Sequence, residues 1–337
     1  ISFATHLLKY ISMIELSERL KAMEESATIA MSRKSRELKA EGKDVISLSL
    51  GEPDFFTPQF IKDAAVEAMN NNFTMYIPVP GYDDLREAIS MKFSRDNGLN
   101  YTKDQIVVST GAKQSIANVV LSLVDEGDEV IIPAPYWVSY LEIVKVAEGT
   151  PVVINAGIEK DFKITGKDLE AAITPKTKLM IFSTPCNPTG SVYTKEELRD
   201  LADVLVKYPN IVVISDEIYE HINFSGKHVS LAQFSDVYDQ VVTVNGVSKA
   251  WAMTGWRLGT LVANPTIAKA VANLQSQTSS NATTFAQYGA LAAVQNWDQS
   301  MQAVQDMLVH FDRRRLLLLD GLNAIPGIEC LRSQGAF

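Results

Sequence analysis

Apolar and polar positions follow two different rhythms along this chain, and the switches between them predict its elements. Residues 13–41 space apolar positions at helical intervals among many charges, which predicts one long amphipathic helix. VISLSLGEPDF (45–55) then reads as an extended segment entering a loop, and helical patterns return at 59–70 and 84–95. From there short β-branched runs (QIVVS, EVIIP, PVVIN, KLMIFS, IVVIS and QVVTV) alternate with helical stretches. Such alternation predicts an α/β fold whose largely parallel sheet is covered by helices. A long helical region is expected from about Thr283 to Gly321.

The segments that follow four of these strands are polar: STGAKQ, STPCNPTG, SDEIYEH and NGVSK. In parallel sheets, ligands collect at the carboxyl ends of the strands. Four polar strand ends on one edge therefore predict a site. TGAKQSIANVV (110–120) adds a strand-to-helix turn of small residues, and a helix N-terminus with free N–H groups suits a phosphate.

Composition narrows the class. The 337 residues are 46% hydrophobic and 21% charged, an ordinary soluble globular balance, with a net charge of −9. That acidity argues against nucleic acid or an anionic membrane as partner. No apolar run reaches the length of a membrane span. Two cysteines, Cys186 and Cys330, are too few for a disulfide framework and fit a reducing cytoplasm. His6, His221, His228 and His310 form no HExxH or other close ligand spacing, so no metal is expected. The opening ISFATHLLKYIS (1–12) reads as a non-native or upstream extension before Met13, and SQGAF reads as a strand cut short. A C-terminal truncation is expected.

One lysine stands out. Lys249, in GVSKAWAMTGWRLG (246–259), lies among small and apolar residues, with Arg257 further along the same stretch. Burial disfavours an ammonium, and a neutral amine can condense with an aldehyde. Taken alone it reads as a loop lysine at the surface. The whole string, however, resembles the cofactor-attachment site of class I aminotransferases, which use pyridoxal 5'-phosphate. SATIAMSRKSREL, GEPDF, PYWVSY, NPTG, SDEIYEH and AMTGWR extend the resemblance over nearly everything from Ser17 to Phe337, closest to the bacterial-type aspartate/prephenate branch.

That resemblance implies the fold type I architecture of such transferases. Residues 56–300 would form a large cofactor-binding domain, with 13–55 and the truncated 301–337 belonging to a smaller α+β one. It also implies a role for each motif residue. Lys249 takes the Schiff-base position and serves as catalytic base, while Arg257 takes the phosphate position. Gly111, Ala112 and Lys113 line the phosphate loop, and Tyr76 and Ser280 reach the phosphate of a neighbouring subunit, which makes the protein a homodimer with shared sites. Asp216 pairs with the pyridine nitrogen, where an acid keeps the ring an electron sink. Read alone, Asp216 is a helix cap. Asn187 and Tyr219 contact the phenolic oxygen, and Trp137 offers a flat face to the ring. Gly51 meets the substrate carboxylate through its backbone, and Thr28 with Lys113 binds a distal carboxylate. The family's arginine for the α-carboxylate has no match before Phe337.

The expected activity is amino-group transfer between aspartate or glutamate and a 2-oxo acid. Prephenate or another acceptor is the nearest alternative. A lyase of the same fold is disfavoured by Lys113 and Thr28. A cofactor-sensing regulator lacks room for a DNA-binding module before Met13 and carries the wrong charge.

Overall fold

The computed structural model describes residues 15–48 and 51–336; the expected extension 1–12, the Met13 start and Phe337 lie outside them. Seven strands form one sheet in the order β1-β7-β6-β5-β4-β2-β3. They are β1 (Ile106–Ser109), β2 (Glu129–Ala134), β3 (Thr150–Asn155), β4 (Thr177–Ser183), β5 (Val212–Asp216), β6 (Val241–Gly246) and β7 (Gly259–Val262). The six runs of the sequence pattern are the first six. The seventh was not predicted, and it alone runs antiparallel, against both β1 and β6.

Alternation along each strand explains the two layers of core. Ile106, Val108, Ile131, Met180, Phe182 and Val213 face one apolar cluster, whereas Val107, Val130, Ile132, Leu179, Ile181 and Ile214 face the other. The first cluster is roofed by α3 (Gln59–Asn70), α4 (Asp83–Lys92), α7 (Gly166–Ala172), α8 (Lys195–Leu205) and α10 (Thr284–Gln295). The second is roofed by α5 (Ala112–Leu123), α6 (Ser139–Val146) and α9 (Pro265–Thr278). Ends are set locally. The Thr194 hydroxyl caps α8 by accepting from the Glu197 N–H, while Glu197 reaches back to the Thr194 N–H.

Two helical expectations need correction. Residues 13–41 are not one helix: α1 (Glu18–Lys21) stops, and α2 (Ala27–Ala40) begins after a break, neither holding a buried residue. With no apolar face packed there, nothing offsets the cost of continuing through Glu24, Glu25 and Ser26, and serine favours an N-cap. The region after Thr283 likewise divides at Asn296 into α10 and the 27-residue α11 (Trp297–Asn323). Among the described residues of the terminal segment expected to open a strand, the pairing is an isolated bridge, Asn223 to Gly335, rather than a named strand.

β7 decides where the site lies. Ser109 and Gly246, at the ends of β1 and β6, both pair with Gly259, the first residue of β7. A Cβ on Gly259 would sit 2.2 Å from the Ala112 nitrogen, so only glycine lets the start of α5 lie against this strand. Gly259→Ala should therefore overpack a backbone contact and lower stability by about 1–3 kcal/mol. Denaturant unfolding checks this, and an unchanged midpoint would show that the contact relaxes freely.

Candidate active site

Because β1 and β6 end where β7 begins, the segments flanking all three meet at one edge. Gly111 follows β1, Lys249 follows β6 and Arg257 precedes β7. Gly111 has φ +87° and caps α5 without a side chain. A Cβ there would lie 2.3 Å from an Arg257 guanidinium nitrogen, so the guanidinium lies directly on the glycine. Arg257 itself takes a left-handed conformation (φ +53°), and its other arm donates to the Thr254 carbonyl at 2.9 Å. The result is a cationic notch at a helix N-terminus that no side chain caps.

Lys249 is half-buried and donates from Nζ to the Gly51 carbonyl at 2.5 Å. Desolvation pushes its pKa down to about 8; Glu52 and Asp216 oppose the shift and Arg257 adds to it. Glu52 is steadied by the Thr254 hydroxyl at 2.8 Å. Asp216, fully inside at the end of β5, is the floor of the site. Burial raises its pKa to about 6, against the Tyr140 hydroxyl, which donates to Oδ2 at 2.7 Å, and the Ile218 N–H, which donates to Oδ1 at 3.2 Å. Tyr219 is also buried; the Asn187 amide donates to its oxygen at 3.4 Å, and Lys249 Nζ lies 5.8 Å from its ring centre.

Lys113 stands on the rim with its ammonium 4.8 Å above the Trp137 ring. Desolvation and the Arg257 charge lower its pKa. Trp137 in turn meets Tyr140 edge-on, ring centres 5.5 Å apart at 87°. An exposed cationic rim thus descends through a half-buried lysine to a buried acid.

The remaining predicted residues do not all converge. Thr28 is half-buried on α2, and no hydrogen bond joins it to Lys113 among the described residues. Its segment is tied elsewhere, by the Glu24 N–H to Glu142 of α6 at 3.0 Å. Tyr76 is 90% exposed and packs against nothing that would make it a core tyrosine. Ser280 sits past α9 at φ +61°, its N–H bonded to the Gln275 carbonyl at 2.8 Å.

Sequence reasoning missed Tyr140, Glu52 and a buried group behind the floor. Tyr140 lies one helical turn beyond Trp137, a spacing that could have flagged it. Glu217, Glu220 and His228 bring ligand-type atoms within 4.8 Å of one another, a grouping that the spacing of the histidines did not signal, and the Lys92 ammonium bonds Glu220 there.

A helix-covered parallel sheet with an activated lysine above a buried acid is the frame of a cofactor-dependent transferase. The chain belongs to the aminotransferase class I and II family, whose model matches residues 43–337. It is 49% identical over 326 residues to the aspartate/prephenate aminotransferase of Nitrosomonas europaea, covering 96% of this chain and 81% of that protein. It is 46% identical to the aspartate aminotransferase of Geobacillus stearothermophilus, covering 96% and 82%. Among solved structures, the aspartate aminotransferase of Thermus thermophilus with maleate superposes with a TM-score of 0.93 at 42% identity, covering 96% and 84%. The expected fold type I architecture holds, and the protein is a pyridoxal-phosphate-dependent aminotransferase.

The lowered Lys249 pKa has a measurable consequence. Without cofactor, its labelling by a small amine reagent should rise with a midpoint near pH 8, since about half of the amine is neutral there, against roughly 0.3% for a free lysine. Because the folded pKa lies below the unfolded one, the unfolded chain holds the extra proton between about pH 8 and 10.5, and Lys249's contribution to stability increases with pH across that window. Peptide-resolved mass spectrometry reads the labelling. A midpoint near 10.5 would contradict the burial argument.

Proposed function

We propose that this aminotransferase exchanges an amino group between a dicarboxylic amino acid, aspartate or glutamate, and a 2-oxo acid, with Lys249 as its catalytic base. The observation that carries this reading is the pairing of a half-buried amine of pKa about 8 with a buried carboxylate on the same strand edge. The residues present fit pyridoxal phosphate. The Gly111–Arg257 notch has the charge and bare backbone that a phosphate needs, with Ala112 and Lys113 in the first turn of α5 beside it. Asp216 is a buried carboxylate whose raised pKa marks an acid lacking a full counter-charge, which a protonated ring nitrogen would supply. Asn187 and Tyr219 would meet the phenolic oxygen, and the Trp137 face the ring. When bound, the cofactor supplies an aldehyde for amines and a ring that withdraws electrons from the substrate's α-carbon.

The protein's part is to hold and move protons. Lys249 Nζ, neutral above about pH 8, takes the proton from the substrate α-carbon. Asp216, a carboxylate above about pH 6, would hold the pyridine nitrogen of the bound cofactor in its charged form. Gly51 offers its N–H to the α-carboxylate while its carbonyl holds Lys249. Lys113 receives the distal carboxylate; Thr28, which the family resemblance pairs with it, lies on α2 with no bond to Lys113 among the described residues. In support, relatives are named for aspartate, and the Thermus thermophilus enzyme was solved with maleate, a dicarboxylate. Prephenate is the second reading, since it stands in the name of the Nitrosomonas europaea relative.

A second copy of the chain completes the site. Tyr76 (90% exposed), Met75 (80%) and Phe56 (94%) are large apolar side chains left open to solvent, as a homodimer face would require. Tyr76 and Ser280 would then reach the other copy's phosphate. Residues 56–300 form the cofactor unit in this reading, with 13–55 and 301–337 in a smaller one; α11 buries residues only as far as Phe311. Both cysteines are free, which accords with a cytoplasmic setting.

Two variants test the assignment. Asp216→Ala should still capture the cofactor but slow α-proton exchange by orders of magnitude, because the developing charge loses its sink. Exchange at a near-normal rate would show that another acid holds the nitrogen. Lys113→Ala should remove a charge-assisted bond worth roughly 1.5–3 kcal/mol and raise KM for aspartate and glutamate by about one to two powers of ten. Alanine should change far less. Equal losses for aspartate and alanine would assign Lys113 to the phosphate or the fold.

A further inference from the structure

The turn Asp216–His221 has two faces. Asp216 and Tyr219 point into the site, and the residues that follow each of them, Glu217 and Glu220, point away into the protein. Both carboxylates are buried, Glu217 with 0% exposure. Glu217 Oε1 accepts from the Ser215 hydroxyl at 2.9 Å and the Ser230 hydroxyl at 2.7 Å, while Oε2 lies 2.8 Å from His228 Nε2. Glu220 bonds the Lys92 ammonium, receives the Asn97 amide at 3.3 Å and lies 3.0 Å from His221 Nε2. Lys92 is itself buried and also donates to Asn97 at 3.0 Å.

Two carboxylates within one turn repel, and burial penalises both. Yet Glu220 stays ionised: desolvation would raise its pKa, but Lys92 and the neighbouring histidines hold it well below the usual range. His228 is driven the other way, desolvation being outweighed by Glu217 and Glu220, which raise it. Lys92 supplies the cation of this cluster, so the group needs no metal. Such an arrangement is a poor way to gain stability, because apolar packing would do as well or better. What it does provide is direction, since charged pairs with several bonds each allow one orientation of the turn.

We infer that the Glu217–His228 and Glu220–Lys92 pairs are positioning devices: they lock the turn from behind so that Asp216 and Tyr219 meet the cofactor in a fixed geometry. This rests on the reading that Asp216 and Tyr219 contact the pyridine nitrogen and phenolic oxygen. The two pairs bracket the turn along its length, and each anchors the residue next to a site residue. Neither touches the site itself.

The test uses the full chain loaded with pyridoxal phosphate and reads the pH midpoint of its visible absorption band. Tyr219→Phe is the reference: losing a donor to the phenolic oxygen makes that oxygen more basic, so the midpoint should rise. Lys92→Met with Glu220→Gln removes both charges together and avoids an unpaired buried ion. The double variant should shift the midpoint in the same direction, lower kcat by about 10-fold as loss of an outer supporting contact does elsewhere, and leave KM within about 2-fold. Adding Tyr219→Phe to it should give little further shift, because the two changes act through one contact. Ser230→Ala, which takes one bond from Glu217 and keeps the ion pair, should give a smaller shift and supplies the readout if the double variant folds poorly. Arg86→Met, which removes a buried cation bonded to Asp83 and the Lys103 carbonyl away from this turn, controls for lost stability. Melting temperatures lowered as in Arg86→Met with no shift of the midpoint would overturn the inference alone. A silent Tyr219→Phe would overturn the cofactor-contact reading and the inference with it.

Discussion

The arrangement depends on the antiparallel return of β7 between β1 and β6. Six parallel strands would carry their polar ends to one edge in any case, but Arg257 precedes its strand and would lie at the opposite edge if β7 ran with the others. Reversal places the start of β7 beside the ends of its neighbours, with Gly259 paired to both Ser109 and Gly246. Gly259 and Gly111 then let α5 and the Arg257 guanidinium close in to distances that a methyl group would forbid. Two missing side chains thus define the notch, and the charges follow.

Depth sets what those charges do. Arg257 and Lys113 stand at the rim, where water supports their charge, Lys249 is half-buried, and Asp216 is inside. Desolvation acts on the two groups in opposite directions: it lowers the lysine to about 8 and raises the aspartate to about 6. Their mutual attraction opposes both shifts without cancelling either. Near neutral pH the acid is mostly ionised, and the amine has a substantial neutral fraction within reach. A shallower site would leave Lys249 protonated, and a deeper one without Tyr140 would leave Asp216 neutral.

Much of this was legible in the sequence because it is written in local runs. Six β-branched stretches announced six strands, and the motifs around Lys249, Asp216 and Asn187 announced the edge where they end. β7 escaped because Gly259–Val262 is four residues long, opens on glycine and follows a loop. Residues 13–41 misled because helical spacing signals an apolar face only when something packs on it. The support behind the site was not legible for another reason. Tyr140 and Asp216 are 76 positions apart, and Lys92 and Glu220 are 128 apart. No window of sequence holds both members of either pair. Thr28 shows the converse, a residue named by motif whose expected neighbour is not beside it.

The most direct test of the central claim is chemical. Borohydride reduction of the cofactor-loaded protein, followed by digestion and peptide mass spectrometry, would fix the cofactor to the amine that holds it. A single pyridoxyl adduct on Lys249, within the peptide spanning 246–257, is the predicted result. An adduct on Lys113 or another lysine with Lys249 unmodified would contradict the account.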